Sequence, residues 1–108
     1  MKNFDFNTGV YNFGSFTFNA DRRILTNNLT EEKIKMTTKE ANLLQMFCEN
    51  KNEIVSRDEV LRKIWGDNNY FNARTMDVYI CKVKKYLKAD NSLEIINIHG
   101  TGYKMNIL

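Results

Sequence analysis

Apolar and polar positions change their rhythm along this chain, and the changes mark its elements. From Val10 to Met36 the rhythm is short. Phe16 and Phe18 alternate with Ser15, Thr17 and Asn19, Ile24-Leu25 form an apolar pair, and Ile34 and Met36 flank Lys35. A period of two with one apolar face predicts strands. Breaks at Gly14-Ser15, Ala20-Asp21 and Asn27-Asn28 divide the stretch into four short antiparallel strands. So small a sheet is marginal alone and needs helices packed on it.

The spacing then lengthens. Thr37-Thr38-Lys39-Glu40 fits a capping box, with the Thr37 hydroxyl accepting from the third helical N–H while Glu40 reaches back. Ala41, Leu43, Leu44, Met46 and Phe47 follow at helical spacing, to an end near Glu49. Ser56-Arg57-Asp58-Glu59 repeats the device, with Val55 and Val60 set as a hydrophobic staple. This second helix turns Val60, Leu61, Ile64 and Trp65 inward and stops at Gly66. The stretch Asp67, Asn68, Asn69, Tyr70, Phe71, Asn72 reads as a loop, and Asn72 as the cap of a third helix from about Ala73 to Leu87. Leu93 to Ile98, a turn at His99-Gly100-Thr101-Gly102, and Tyr103 to Ile107 predict a hairpin. Both glycines of that turn are expected at positive φ.

At 108 residues the chain supports one domain, and 43% apolar with 27% charged content is ordinary for a globular protein. Residues 1–8, polar with scattered Phe, read as a linker remnant or frayed leader, leaving 9–108 as the domain. No apolar run approaches the ~20 residues that cross a bilayer, and the first residues lack a signal-peptide core, so no membrane role is expected. Cys48 and Cys81 are isolated, which suits a reducing cytosol and a cytoplasmic protein.

Charge changes the picture more than composition does. Of a net charge of +3, the segment from Arg74 to Lys88 carries +4 and the remainder −1. At about 100° per residue, Met76, Ile80, Val83 and Leu87 fall on one stripe of the third helix. Roughly opposite lie Arg74, Thr75, Val78, Cys81, Lys82 and Lys85, with no acid on that face and Asp77 to the side. A wet helix surface accounts for the lysines but poorly for Val78. A major groove accepts such a face: lysine reaches guanine or phosphate, a valine methyl meets a thymine methyl, and Arg74 and Thr75 at the helix start can hold phosphates. Two helices, the second basic outside, followed by a Gly-hinged hairpin, compose a winged helix-turn-helix.

Other classes find less support. His99 is the single histidine, no metal-ligand cluster is present, and no nucleophile has a base beside it, so neither catalysis nor a cofactor is expected. No aromatic stacking sheet of the kind that binds RNA is visible. The alternative kept open is a winged-helix protein-interaction module without DNA binding, using Tyr70, Phe71 and Val78. Trp65 fits a core plug with one exposed edge. Arg57, a cation inside a helix N-terminus, points to something anionic outside, and Asp77 to a pin for the third helix.

The segments LTEEKIKMTTKEANLLQMFCENKNEIVSRDEVLRKIWG, RTMDVYICKVKKYL and IINIHGTGYKM, in that order, resemble the OmpR/PhoB-type winged-helix effector domain of two-component response regulators. The likeness covers about Gly14 to Met105. It implies an α+β fold: an N-terminal four-stranded antiparallel sheet, three helices and a C-terminal β-hairpin wing. It implies that Arg74 and Thr75 anchor phosphates, that Val78, Lys82 and Cys81 face bases, and that Arg57 and Trp65 touch the DNA backbone. Lys85, Tyr79 and the wing residues His99, Thr101 and Tyr103 complete the implied DNA surface, Tyr103 as the support of the wing. The stretch 67–72 resembles the segment that meets RNA polymerase. The chain departs from the family where Tyr79 takes a position often held by His, and where Cys81, Lys82 and His99 take positions often held by Arg. The resemblance further implies tandem direct repeats as sites, a receiver domain and an upstream sensor kinase; with no sign of a large apolar patch in the sequence, a monomer without DNA is expected. No receiver-like pattern precedes Val10, and an excised effector domain is the expectation.

Overall fold

The structure is a computed structural model and describes residues 4–107; residues 1–3 of the expected leader lie outside the described residues. The alternating segment forms an antiparallel meander of β1 (Val10–Phe13), β2 (Phe16–Asn19), β3 (Ile24–Asn27) and β4 (Lys33–Lys35), paired in chain order. Pairing Phe13 with Phe16 and Phe18 with Leu25 gathers all four on the buried face. At the first turn, Gly14 has φ +54°, and a Cβ there would stand 2.5 Å from the Asp90 carboxylate. That carboxylate accepts the Ser15 N–H at 2.6 Å and both polar groups of Ser92. The Ser92 and Ser15 hydrogen bonds hold Asp90 down at about 2, and they tie the meander to the end of the third helix.

Helix α1 (Thr38–Glu49) runs through the centre, with Ala41, Leu43, Leu44, Met46, Phe47 and Cys48 all buried. Its capping box is present: the Glu40 N–H donates to Thr37 Oγ1, and the Thr37 N–H donates to Glu40 Oε1 at 2.8 Å. Glu40 is itself buried, and its other oxygen accepts from the Tyr86 hydroxyl at 2.7 Å, so the cap also fastens α1 to the third helix. Buried Gln45 donates to the carbonyls of Asp5 and Thr8 and accepts the Asn7 N–H. Phe4 and Phe6 meet each other edge-to-face and pack against the core, and with the Gln45 hydrogen bonds they dock residues 4–8 on α1.

After α1 comes β5 (Ile54–Ser56), a strand that the hydrophobic pattern did not predict. Helix α2 (Arg57–Val60) follows, capped by Ser56, and widens into a π-helical turn, Leu61–Trp65, closed by Gly66 at φ +82°. Val60 and Leu61 are buried, whereas Ile64 and Trp65 are half-buried. Helix α3 spans Tyr70–Leu87. It begins three residues before the expected start because Asn69, not Asn72, is its cap, accepting from the Asn72 N–H at 2.8 Å. Tyr70, Phe71 and Asn72 therefore form the first turn of α3 and are not loop. The connection shrinks to Gly66–Asn69, close to a minimal helix-turn-helix turn.

Strands β6 (Leu93–Ile98) and β7 (Gly102–Ile107) make the expected hairpin, and β5 joins it in the order β5-β7-β6. The two turn glycines serve different ends. Gly100 has φ +73°, as expected, but Gly102 does not have positive φ. Opposite Ser56, it lies so close to β5 that a Cβ would press on the Val55 carbonyl oxygen and stand 2.8 Å from the carbonyl carbon. Its requirement is space for a backbone.

The methyl of Gly102→Ala must push two strands apart, so we expect a loss of about 3 kcal/mol in urea denaturation. Gly100→Ala, with open space around it, should lose only about 1 kcal/mol through its left-handed backbone. Equal losses at the two positions would refute this assignment.

Candidate nucleic-acid interface

Helix α3 divides as its phase predicts. Met76, Ile80, Val83 and Leu87 are buried. Arg74, Val78, Cys81, Lys82 and Lys85 are exposed, Thr75 is half-buried, and Val78 keeps 55% of its surface in solvent. At the helix start, the Arg74 guanidinium lies 5.8 Å from the Tyr70 ring centroid and donates to the Tyr70 hydroxyl at 3.1 Å. The Thr75 hydroxyl donates to the Phe71 carbonyl at 3.1 Å, which leaves its oxygen as an acceptor only. Tyr70 and Phe71 themselves are 75% and 76% exposed, so neither covers the core.

Trp65 stands edge-to-face with Tyr79, ring centroids 5.5 Å apart, and the Lys39 ammonium lies 5.4 Å from its centroid. The indole N–H is enclosed by protein without a hydrogen-bond partner, so the ring carries the packing and its N–H is not turned outward. Tyr79 is half-buried on the flank of α3, next in the chain to the exposed Val78.

The wing tip, His99-Gly100-Thr101, is exposed, and its turn is closed by the Thr101 N–H donating to the Ile98 carbonyl at 2.9 Å. The Arg57 N–H donates to the Thr101 carbonyl at 3.3 Å, which links the start of α2 to the wing. Side chains complete the link. Arg57 Nη1 donates to Asp77 Oδ1 at 2.8 Å and to the Tyr103 hydroxyl at 2.6 Å, and that hydroxyl donates to Asp77 Oδ1 at 2.7 Å. Asp77 thus pins α3, as expected, and Arg57 is its partner. Arg57 does not stand as a free cation awaiting DNA, though a third of its side chain still meets solvent.

Burial raises the Asp77 carboxyl, but the hydrogen bonds from Arg57 and Tyr103 and the Arg57 charge outweigh it, leaving Asp77 below its ordinary range. Burial and the bond to Asp77 push the Tyr103 phenol up to about 12. Beside this joint, a groove between α3 and the hairpin is lined by Arg57, Asp77, Cys81, Lys84, Asn97 and Tyr103. No sequence motif marks Lys84, Asn97 or Lys39. Lys84 was visible only as part of a charge run, and Asn97 only as an outward residue of a strand.

A depressed carboxyl adds stability above its unfolded pKa of roughly 3.9 and loses it as pH falls through the folded value. We therefore expect Asp77→Asn to cost about 1 kcal/mol at neutral pH, reduced because half of the Asp77 side chain meets solvent. The gap from the parent should close on acidification. Chemical denaturation across pH measures it, and a gap that stays constant down to pH 3 would contradict the ion-pair origin.

Residues 31–105 match the family model described as "Transcriptional regulatory protein, C terminal". The chain is 53% identical over 98 residues to the transcriptional regulatory protein RprY of Bacteroides fragilis, covering 91% of this chain and 41% of that protein. The chain thus spans about two-fifths of that relative's length. It superposes on the response regulator DrrB of Thermotoga maritima, an OmpR/PhoB homologue, with TM-score 0.75 at 26% identity, covering 91% of this chain and 44% of that one. It shares the fold of the Klebsiella pneumoniae RstA DNA-binding domain, solved in complex with its RstA box, with TM-score 0.74 at 24% identity, covering 90% of this chain and 96% of that one. With its four-stranded sheet, three helices and wing, the chain belongs to the family of C-terminal domains of transcriptional regulatory proteins, of the OmpR/PhoB type.

Proposed function

We propose that this chain is the DNA-binding effector domain of a two-component response regulator, reading a specific duplex site through α3 in the major groove. The observation that carries the reading is the face of α3: Arg74, Lys82 and Lys85 with the small Val78 and Cys81 are all exposed, Asp77 at its edge is paired with Arg57, and the hairpin stands beside it. Val78 and Lys82, with Cys81, meet bases; Arg74, held over Tyr70, anchors a phosphate, and Lys85 extends the cationic track. The exposed tip of the wing, His99 and Thr101, addresses the neighbouring minor groove, with Tyr103 beneath as support.

The rest of the reading follows from the family. The domain works without catalysis or cofactor, in the cytoplasm, behind a receiver domain addressed by a sensor kinase, and two copies load on tandem direct repeats while the free domain is a monomer. No described helix is long and apolar enough to cross a membrane. Asp67 and Asn68, with Tyr70 and Phe71 in the first turn of α3, are exposed where α3 begins, which suits contact with RNA polymerase.

Selection of duplexes from a random pool, followed by salt titration on the winning site, tests the reading. Binding should weaken steeply with salt, as phosphate contacts release counterions. Lys82→Ala should cost about 1–3 kcal/mol and relax preference at one base position. Binding insensitive to salt, or no enriched site, would favour a protein-interaction module instead.

The polymerase surface is tested by Asp67→Ala and Phe71→Ala in a regulator carrying this domain. Transcription activation should fall several-fold while DNA affinity stays unchanged. Asn69 is unsuitable for this test, because as the α3 cap its loss would cost roughly 1 kcal/mol of stability. A parallel fall in binding and activation would make the corner structural.

A further inference from the structure

We propose that Tyr79 is a positioning residue that gives Lys82 its base specificity, by holding the lysine ammonium over its ring before DNA arrives. The inference rests on the DNA-reading role of α3. Tyr79 and Lys82 stand three residues apart on α3, where side chains on one helix flank meet. The Lys82 Nζ lies 5.2 Å from the Tyr79 ring centroid. Among the described residues Lys82 forms no ion pair, so the ring is what orients its charge.

The ring is itself held. Trp65 meets it edge-to-face at 83°, and Lys39 of α1 lies over Trp65 in turn. Three elements thus contribute to one ladder of cation, ring, ring and cation. Glu40, whose charge interacts with that of Lys82, is buried and already engaged by Tyr86 and Thr37, so it biases the lysine without capturing it.

The physical consequence concerns specificity. A lysine is a point charge on a flexible stem and lacks the planar fork with which arginine grips guanine. Left free, it spreads over many rotamers and meets phosphates as readily as bases. Stacked on a fixed ring, it loses less freedom on binding and addresses one place. The family resemblance puts His at this position and Arg where Lys82 stands; a tyrosine under a lysine is the combination this chain uses.

The test compares Tyr79→Leu, Tyr79→Phe and Lys82→Ala, alone and combined, on a panel of duplexes varied one base pair at a time. Lys82→Ala defines the base pair that Lys82 reads. Tyr79→Leu should reduce discrimination at that same pair by ~2–5-fold, the scale of an exposed cation–π contact, with other positions unchanged. Tyr79→Phe, which keeps the face, should restore it, and Tyr79→Leu should add nothing in the Lys82→Ala background. Discrimination unchanged in Tyr79→Leu, or lost uniformly at all positions, would overturn the inference. Failure of the parent to bind any duplex would instead overturn the DNA reading. Should the leucine variant not fold, nuclear magnetic resonance of the parent decides: the Lys82 side-chain protons should be shifted by the Tyr79 ring current, and Tyr79→Phe should keep that shift. Unshifted protons would refute the stack.

Discussion

Arg57, Asp77 and Tyr103 come from α2, α3 and β7, and their polar atoms meet within 2.6–2.8 Å of one another. Each of the three would be costly there alone: a carboxylate on the flank of α3, a guanidinium at a helix N-terminus, and a phenol with its ring buried. Together they satisfy one another, and the guanidinium also lies 5.7 Å from the Tyr103 ring centroid. The joint ties α3 to the hairpin at its β7 side, while the Asp90 turn holds the far end of α3 and the shared core of Ile80, Val83, Leu87, Leu93 and Ile95 fills the space between. On the proposed DNA-binding reading, α3 and the hairpin must keep a constant angle, and a network satisfied on every side resists the small rotations that would change it.

Cations on this surface are repeatedly paired with rings. Arg74 lies over Tyr70, Lys82 over Tyr79, Lys39 over Trp65 and Arg57 over Tyr103. The arrangement resolves a conflict. A surface meant for a polyanion must keep its positive charge unneutralised by carboxylates, yet long flexible side chains bind weakly when they must first be ordered. An aromatic face orients a cation without cancelling its charge. Asp77 is the exception, and it neutralises Arg57, the cation placed between helix and wing rather than at the front of α3.

Much of the architecture was legible because it rests on local pattern. The four-strand meander, the capping box at Thr37, the buried stripe Met76, Ile80, Val83 and Leu87, and the hairpin with its exposed tip all follow from periods of two and 3.6 and from cap chemistry within one turn. The docking of residues 4–8 did not show itself: two aromatics in a polar leader have no period, and Gln45, which holds Asp5, Asn7 and Thr8, lies some forty residues away.

By itself, then, the sequence determined the order and type of nearly every element, the apolar and cationic faces of α3, and the family. Tertiary structure alone decided β5, since three residues become a strand only when β7 lies beside them. It also decided where α3 starts, because Asn69 and Asn72 are equally good caps in text and the hydrogen bond from the Asn72 N–H selects one. The need for glycine at position 102 was read from the turn but arises from the Val55 backbone across the sheet. Arg57 and Asp77 were each notable alone, and their pairing came only when the fold brought together groups twenty residues apart. Periodicity and capping act within a few residues, so they can be read along a chain; a contact between distant residues is set by how whole elements pack, and no local pattern records it.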